Sequence, residues 1–140
     1  MRRVLSILLL FGAAGAVSSA AAQSPQIYGA PNGLSGIDCE GIMSRLDFVA
    51  IAAGNTANDQ PIIIIARLGR RETNRNLNRR RLIEVAQYLE RRIPKERIIT
   101  TQGARIDGLG RIEFYVGGRL NIVFTVRRNR DLVIGCGADK

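Results

Sequence analysis

Apolar residues recur along the chain with two distinct periods, and the periods predict its elements. From Glu40, EGIMSRLDFVAIAAG places Ile42, Leu46, Val49, Ala50 and Ala53 on one helical face, and Gly54 stops the run. NTANDQ reads as a loop. Pro61 then opens PIIIIARLG, an unbroken β-branched stretch that predicts a strand covered on both faces. The chain turns over Gly69–Thr73, and Thr73 or Asn74 is placed to cap a second helix running to about Arg92. Leu77, Leu82, Val85, Ala86 and Leu89 form its apolar stripe, and Pro94 follows its end. RIITTQG is a further strand, and ARIDGLG is a glycine-rich loop.

Two strands follow, RIEFYV and RLNIVFTV, joined around Gly117-Gly118. A two-residue turn would set Phe114 opposite Asn121. A three-residue turn over Gly117–Arg119 pairs Val116 with Leu120, Phe114 with Ile122 and Ile112 with Phe124, which keeps one face apolar and is the expected register. RRNRD is a basic turn, and LVIGCG is expected as a last short strand. The order helix, strand, helix, then strands predicts class α+β: a mixed sheet of about four strands with two helices on one face.

The first residues carry a different signal. MRRVLSILLLFGAAGAVSSAAAQS has two arginines, an apolar run from Val4 to about Val17, and Ala20-Ala21-Ala22 before Gln23. That is the pattern of a cleaved secretory signal peptide, and its apolar run is shorter than the ~20 residues that span a bilayer. The expected organisation is a signal peptide at 1–22, a flexible lead-in at 23–36 rich in Pro, Gly, Ser and Asn, and one α+β domain at 37–140. The product is periplasmic or secreted, with no transmembrane segment after cleavage.

Export changes what the charge means. The net charge of +9 falls to +7 once Arg2 and Arg3 leave, with 19 basic against 12 acidic residues. An exported basic domain meets envelope polyanions rather than nucleic acid. Nearly all the positive charge is Arg, whose planar fork suits carboxylate and phosphate. Cys39 and Cys136, the two cysteines of the chain, read as one disulfide in an oxidising compartment. Such a bridge spans 97 positions and contributes up to ~4–5 kcal/mol in the chain-entropy view. There is no histidine, no Cys-x-x-Cys pair and no serine elbow. The acidic residues are scattered, so the chain is read as non-enzymatic, with no cofactor and no metal site.

The second helix carries a resemblance. NRNLNRRRLIEVAQYL is similar to the signature of OmpA-like peptidoglycan-binding domains, Asn-x-x-Leu-Ser-x-x-Arg-Ala-x-x-Val-x-x-Tyr-Leu, through Asn74, Leu77, Arg81, Val85, Tyr88 and Leu89. Asn78 stands in the Ser place and Leu82 in the Ala place. IPKERI resembles the family's Ile-Pro-x-x-Arg-Ile, and GRIEFYV its closing strand. The resemblance covers roughly residues 61–116. It implies an α+β fold and non-covalent binding of peptidoglycan, with the helix arginine and an upstream Asp holding the charged ends of a stem peptide. By the family spacing that Asp position falls on Ala66. The expected ligand residues are therefore Arg81 and Asn74. The expected function is binding of peptidoglycan or another anionic envelope polymer; the alternative is a structural module that lost the clamp and contacts an envelope protein.

At 100° per residue, Arg81 lies about 65° from the centre of the apolar stripe, on its shoulder. Its head is expected beside the strand ends, either open to ligand or paired with a carboxylate such as Asp107 or Glu113. Arg80 falls outside the stripe, where Glu84 is its i, i+4 neighbour. Arg79 lies on the opposite shoulder. Arg127, Arg128 and Arg130 read as a solvated edge.

Overall fold

The computed structural model describes residues 26–28, 38–57 and 59–134. The expected signal peptide, most of the lead-in and Cys136 lie outside the described residues. Five strands and two α-helices follow in the order β1 (Gln26–Tyr28), α1 (Cys39–Gly54), β2 (Ile62–Arg67), α2 (Leu77–Leu89), β3 (Ile98–Gln102), β4 (Arg111–Val116) and β5 (Arg119–Thr125). The sheet order is β1-β5-β4-β2-β3, with β1–β5 and β2–β3 parallel and the two central pairs antiparallel. This is the expected mixed sheet of class α+β, and α2 is the crossover between the parallel neighbours β2 and β3.

Both helices cover the same face. α2 lies over β2 and β3, and α1 over β4 and β5. The core forms where Ile42, Leu46, Val49 and Ala53 of α1 and Leu82, Val85 and Leu89 of α2 meet the sheet. The sheet contributes alternate residues: Ile62, Ile64 and Ala66 of β2, Ile112, Phe114 and Val116 of β4, and Ile122 and Phe124 of β5. The helix-side stripes match those read from the sequence, apart from Ala50 and Ala86, which are half-buried.

Four expectations change. The run of isoleucines in β2 is covered on one face only: Ile63 and Ile65 are half-buried on the face away from the helices. The lead-in supplies a strand, since Gln26–Tyr28 pairs with Ile122–Phe124 at the sheet edge. No strand forms over residues 131–134, and the rest of LVIGCG lies outside the described residues. α2 begins at Leu77 with Asn76 as its cap, rather than at Thr73 or Asn74, and ends at Leu89 rather than near Arg92.

The β4–β5 hairpin resolves its register in an unexpected way. Gly117 and Gly118 both have positive φ, 58° and 73°, so the turn has two residues and Val116 pairs with Arg119. A continuous ladder from there would put Phe114 opposite Asn121. The register instead shifts by one between Phe114 and Tyr115, leaving Asn121 as the surplus residue of β5. Phe114–Ile122 and Ile112–Phe124 are thereby restored, and the Phe114 and Phe124 rings lie 4.8 Å apart. The expected Val116–Leu120 pair does not form.

At the far end of α1, Arg97 donates to the Ala53 and Gln60 carbonyls and to Thr56 Oγ1 at 3.0–3.1 Å, placing a cation on the helix C-terminus. Nothing stands within 4 Å of where a Gly118 side chain would begin, so substitution there isolates the backbone cost. Gly118→Ala is expected to cost about 1 kcal/mol in urea unfolding, with Gly118→Asn recovering most of it because Asn tolerates the left-handed region.

Candidate functional site

α2 faces the sheet with Leu77, Leu82, Val85 and Leu89, and Arg81 shares that side. Its side chain is 0% exposed. A buried guanidinium needs a counter-charge and acceptors for its N–H groups. Glu72, in the turn between β2 and α2, supplies the charge: Nη2 donates to Oε1 at 2.6 Å and Nη1 to Oε2 at 3.2 Å. The turn after β5 supplies the rest. Nε and Nη2 donate to the Arg130 carbonyl at 3.1 and 2.8 Å, and Nη2 also to the Arg127 carbonyl at 3.1 Å.

Glu72 is equally saturated. Its oxygens accept the Gly69 amide at 2.8 Å and the Asn129 amide at 3.1 Å. Asn129 sits at φ 53°, in the left-handed region that asparagine tolerates, and its Oδ1 accepts the Thr73 amide at 3.1 Å. Two glycines leave room for the pair. A Cβ on Gly110 would collide with the Glu72 carboxylate and come within 2.9 Å of Arg81 Nη1. A Cβ on Gly69 would meet the backbone of Gly108–Gly110 at 2.5–2.8 Å. Burial pushes the Glu72 carboxyl up, but the Arg81 hydrogen bond, the Gly69 amide, the Arg81 charge and the Asn129 amide outweigh it and hold it below its ordinary value.

A second buried carboxylate, Glu113, points to the face away from the helices. It accepts Arg67 Nε at 3.0 Å, Arg111 Nε at 2.6 Å and the Tyr115 hydroxyl at 3.2 Å. Burial raises its pKa, and the two arginines more than reverse this, so the shift is downward. Burial and the Glu113 charge push the Tyr115 hydroxyl up.

The expected site residues are not brought into one cleft. Asn74 is exposed; its Oδ1 accepts the Asn76 amide at 3.0 Å and its carbonyl the Leu77 amide at 3.2 Å, shaping the entry to α2. Arg81 is beside the strand ends as expected, but covered, and its partner is Glu72 rather than Asp107 or Glu113. Ala66 lies in the core, and its carbonyl accepts Asn78 Nδ2 at 3.0 Å. Arg80 pairs with Asp131 at 2.7 Å rather than with Glu84. Cys39 opens α1, while its expected partner Cys136 lies outside the described residues. Glu72, Asn129 and Gly110 had no sequence signal beyond belonging to loops. An open depression of about 580 Å³ lies between the start of α1, at Asp38 and Ile42, and the segment from Val126 to Val133. No group of three or more His, Cys, Asp or Glu residues suited to a metal occurs among the described residues, and none of their helices is long and apolar enough to cross a membrane.

Arg81→Met is expected to cost about 3–5 kcal/mol in urea unfolding, since it strands Glu72 in the interior. The double variant Glu72→Leu/Arg81→Met stays destabilised by roughly 1–3 kcal/mol, because the Gly69 and Asn129 amides and the Arg127 and Arg130 carbonyls lose partners. Full recovery in the double variant would reduce the network to its ion pair. Gly110→Ala, whose backbone has no positive φ, is expected to cost about 1–3 kcal/mol from overpacking alone.

The lowered Glu72 pKa fixes a sign. Its stabilisation is fully present above the ordinary value of 4.5 and is lost as pH falls from there through the folded value. The difference in Tm between wild type and Glu72→Gln should be constant near neutrality and shrink below about pH 4.5.

No protein-family model, no curated protein and no solved structure matches this chain.

Proposed function

We propose that the chain is a non-catalytic, exported cell-envelope domain of the OmpA-like type, in which the arginine of the family's ligand clamp has become an internal brace. In this reading it acts as a structural or protein-interaction module. One observation carries the proposal: Arg81, at the signature position, is fully buried and its three guanidinium nitrogens donate to Glu72 and two backbone carbonyls. Glu72 takes the place that a ligand carboxylate would need. Ala66, at the position of the missing acid, offers nothing to an ammonium group. The helix–strand order and the crossover of α2 between β2 and β3 are consistent with the family's core.

One further feature and one expectation from the sequence agree with parts of this reading. Both buried carboxylates are held ionised by arginines, which is the wrong poise for a general acid. The Cys39–Cys136 bridge expected from the sequence would belong to the exported state.

Titration of the chain with a diaminopimelate-containing stem peptide, followed by amide shifts along α2, is expected to give no saturable response. In-cell crosslinking is expected to recover a protein of the envelope. Saturable stem-peptide binding with perturbation at Arg81 would overturn the proposal, because it requires Arg81 to leave Glu72.

A further inference from the structure

The ends of the elements sort the charge of the molecule. The C-terminal ends of β2 and β5 and the N-termini of both helices meet at one end, where two loops lie side by side. One loop follows β2 and carries Arg70, Arg71 and Arg75. The other follows β5 and carries Arg127, Arg128 and Arg130. The Thr73–Asn129 and Asn129–Glu72 bonds, with the Arg81 bonds to the Arg127 and Arg130 carbonyls, tie their backbones together.

All six of these arginines are exposed. Asp107 reaches Arg70 at 3.3 Å, and Asp131 is taken by Arg80. Glu72 is committed to Arg81, and Asp38 accepts the Gly41 amide as the cap of α1. Among the described residues, no acidic side chain forms an ion pair with Arg71, Arg75, Arg127, Arg128 or Arg130. The first turn of α2 holds no acidic residue and Asn76 makes no side-chain cap, so the helix dipole adds to the positive potential there. A solvated guard against strand-to-strand pairing does not account for this placement. The arginines stand at strand ends, and the edge of β5 is already covered by β1.

We propose that this arginine rim is a binding surface for a linear phosphate polymer. The arginines are spread over two loops, and a chain of repeated anions engages separated cations where a small anion meets one or two. A phosphate polymer fits better than a carboxylate one: each of its short repeating units carries its charge in the backbone itself, whereas polyglutamate holds its carboxylates on side chains that must be ordered on binding. The tied backbones lower the ordering cost of binding. The inference uses the exported-domain reading only for where such a polymer is met, and binding in solution tests the rim alone.

The test uses the full mature chain and long-chain inorganic polyphosphate, with orthophosphate, polyglutamate and phosphatidylglycerol vesicles as separate arms. Saturable polyphosphate binding that weakens with salt is expected, with orthophosphate and polyglutamate failing to compete at equal charge. Arg71→Ser/Arg75→Ser/Arg128→Ser removes three rim charges whose side chains brace nothing. It should weaken binding about tenfold and lower the salt slope by about two. Arg91→Ser/Lys95→Ser/Arg119→Ser removes the same charge from the opposite end and should change affinity less than about twofold. Equal losses in the two triple variants would reduce the effect to net charge and overturn the proposal. So would absence of polyphosphate binding, equal binding of polyglutamate, or binding of vesicles alone.

Discussion

One buried ion pair organises the end of the molecule where the loops gather. Glu72 and Arg81 come from adjacent segments, yet their hydrogen bonds reach into the turn at Arg127–Arg130, 46–49 positions beyond Arg81. A pair of this kind is a weak source of net stability, because desolvation of both ions offsets most of their attraction. Its effect is on geometry. With a full set of donors and acceptors it admits one arrangement of the β2–α2 turn against the turn after β5. Gly69 and Gly110 are the complementary condition, since any side chain there would occupy the volume that the pair and its loops fill. Three stretches far apart in sequence, residues 69–81, 108–110 and 127–130, thus answer to one constraint.

The fold was legible where packing follows a single period. The stripes of α1 and α2 place the residues that meet the sheet, and alternation in β4 and β5 identifies the covered face. Legibility failed where length or tertiary context decides. β1 has three residues, and Ile27 is 68% exposed, so neither its size nor its hydropathy separates it from a loop. The isoleucines of β2 read as doubly covered because an apolar run records hydrophobicity without recording what lies on each side.

The candidate site was legible by halves. The angular position of Arg81 on α2 and its nearness to the strand ends followed from helical geometry. Its partner did not, because which carboxylate reaches a buried guanidinium depends on the path of three loops, and Glu72 looks like any loop glutamate. The resemblance singled out the arginine without fixing what it holds. The basic turn after β5 reads as a solvated edge in sequence, and its arginines are indeed exposed; only the sheet order sets that turn beside a second basic loop.

The bulge at Asn121 separates two requirements that hairpins usually couple. Below it, Phe114–Ile122 and Ile112–Phe124 are pairs that either a two-residue turn with a bulge or a three-residue turn without one would preserve. The surplus residue is stored in the strand in the first case and in the turn in the second. Moving it between the two places changes the pairing only of Tyr115, Val116, Arg119, Leu120 and Asn121 and leaves the aromatic core untouched. Within one family of such hairpins, an insertion or deletion at the tip is therefore absorbed before it reaches the core, and turn length becomes free to vary without altering the helix-covered face.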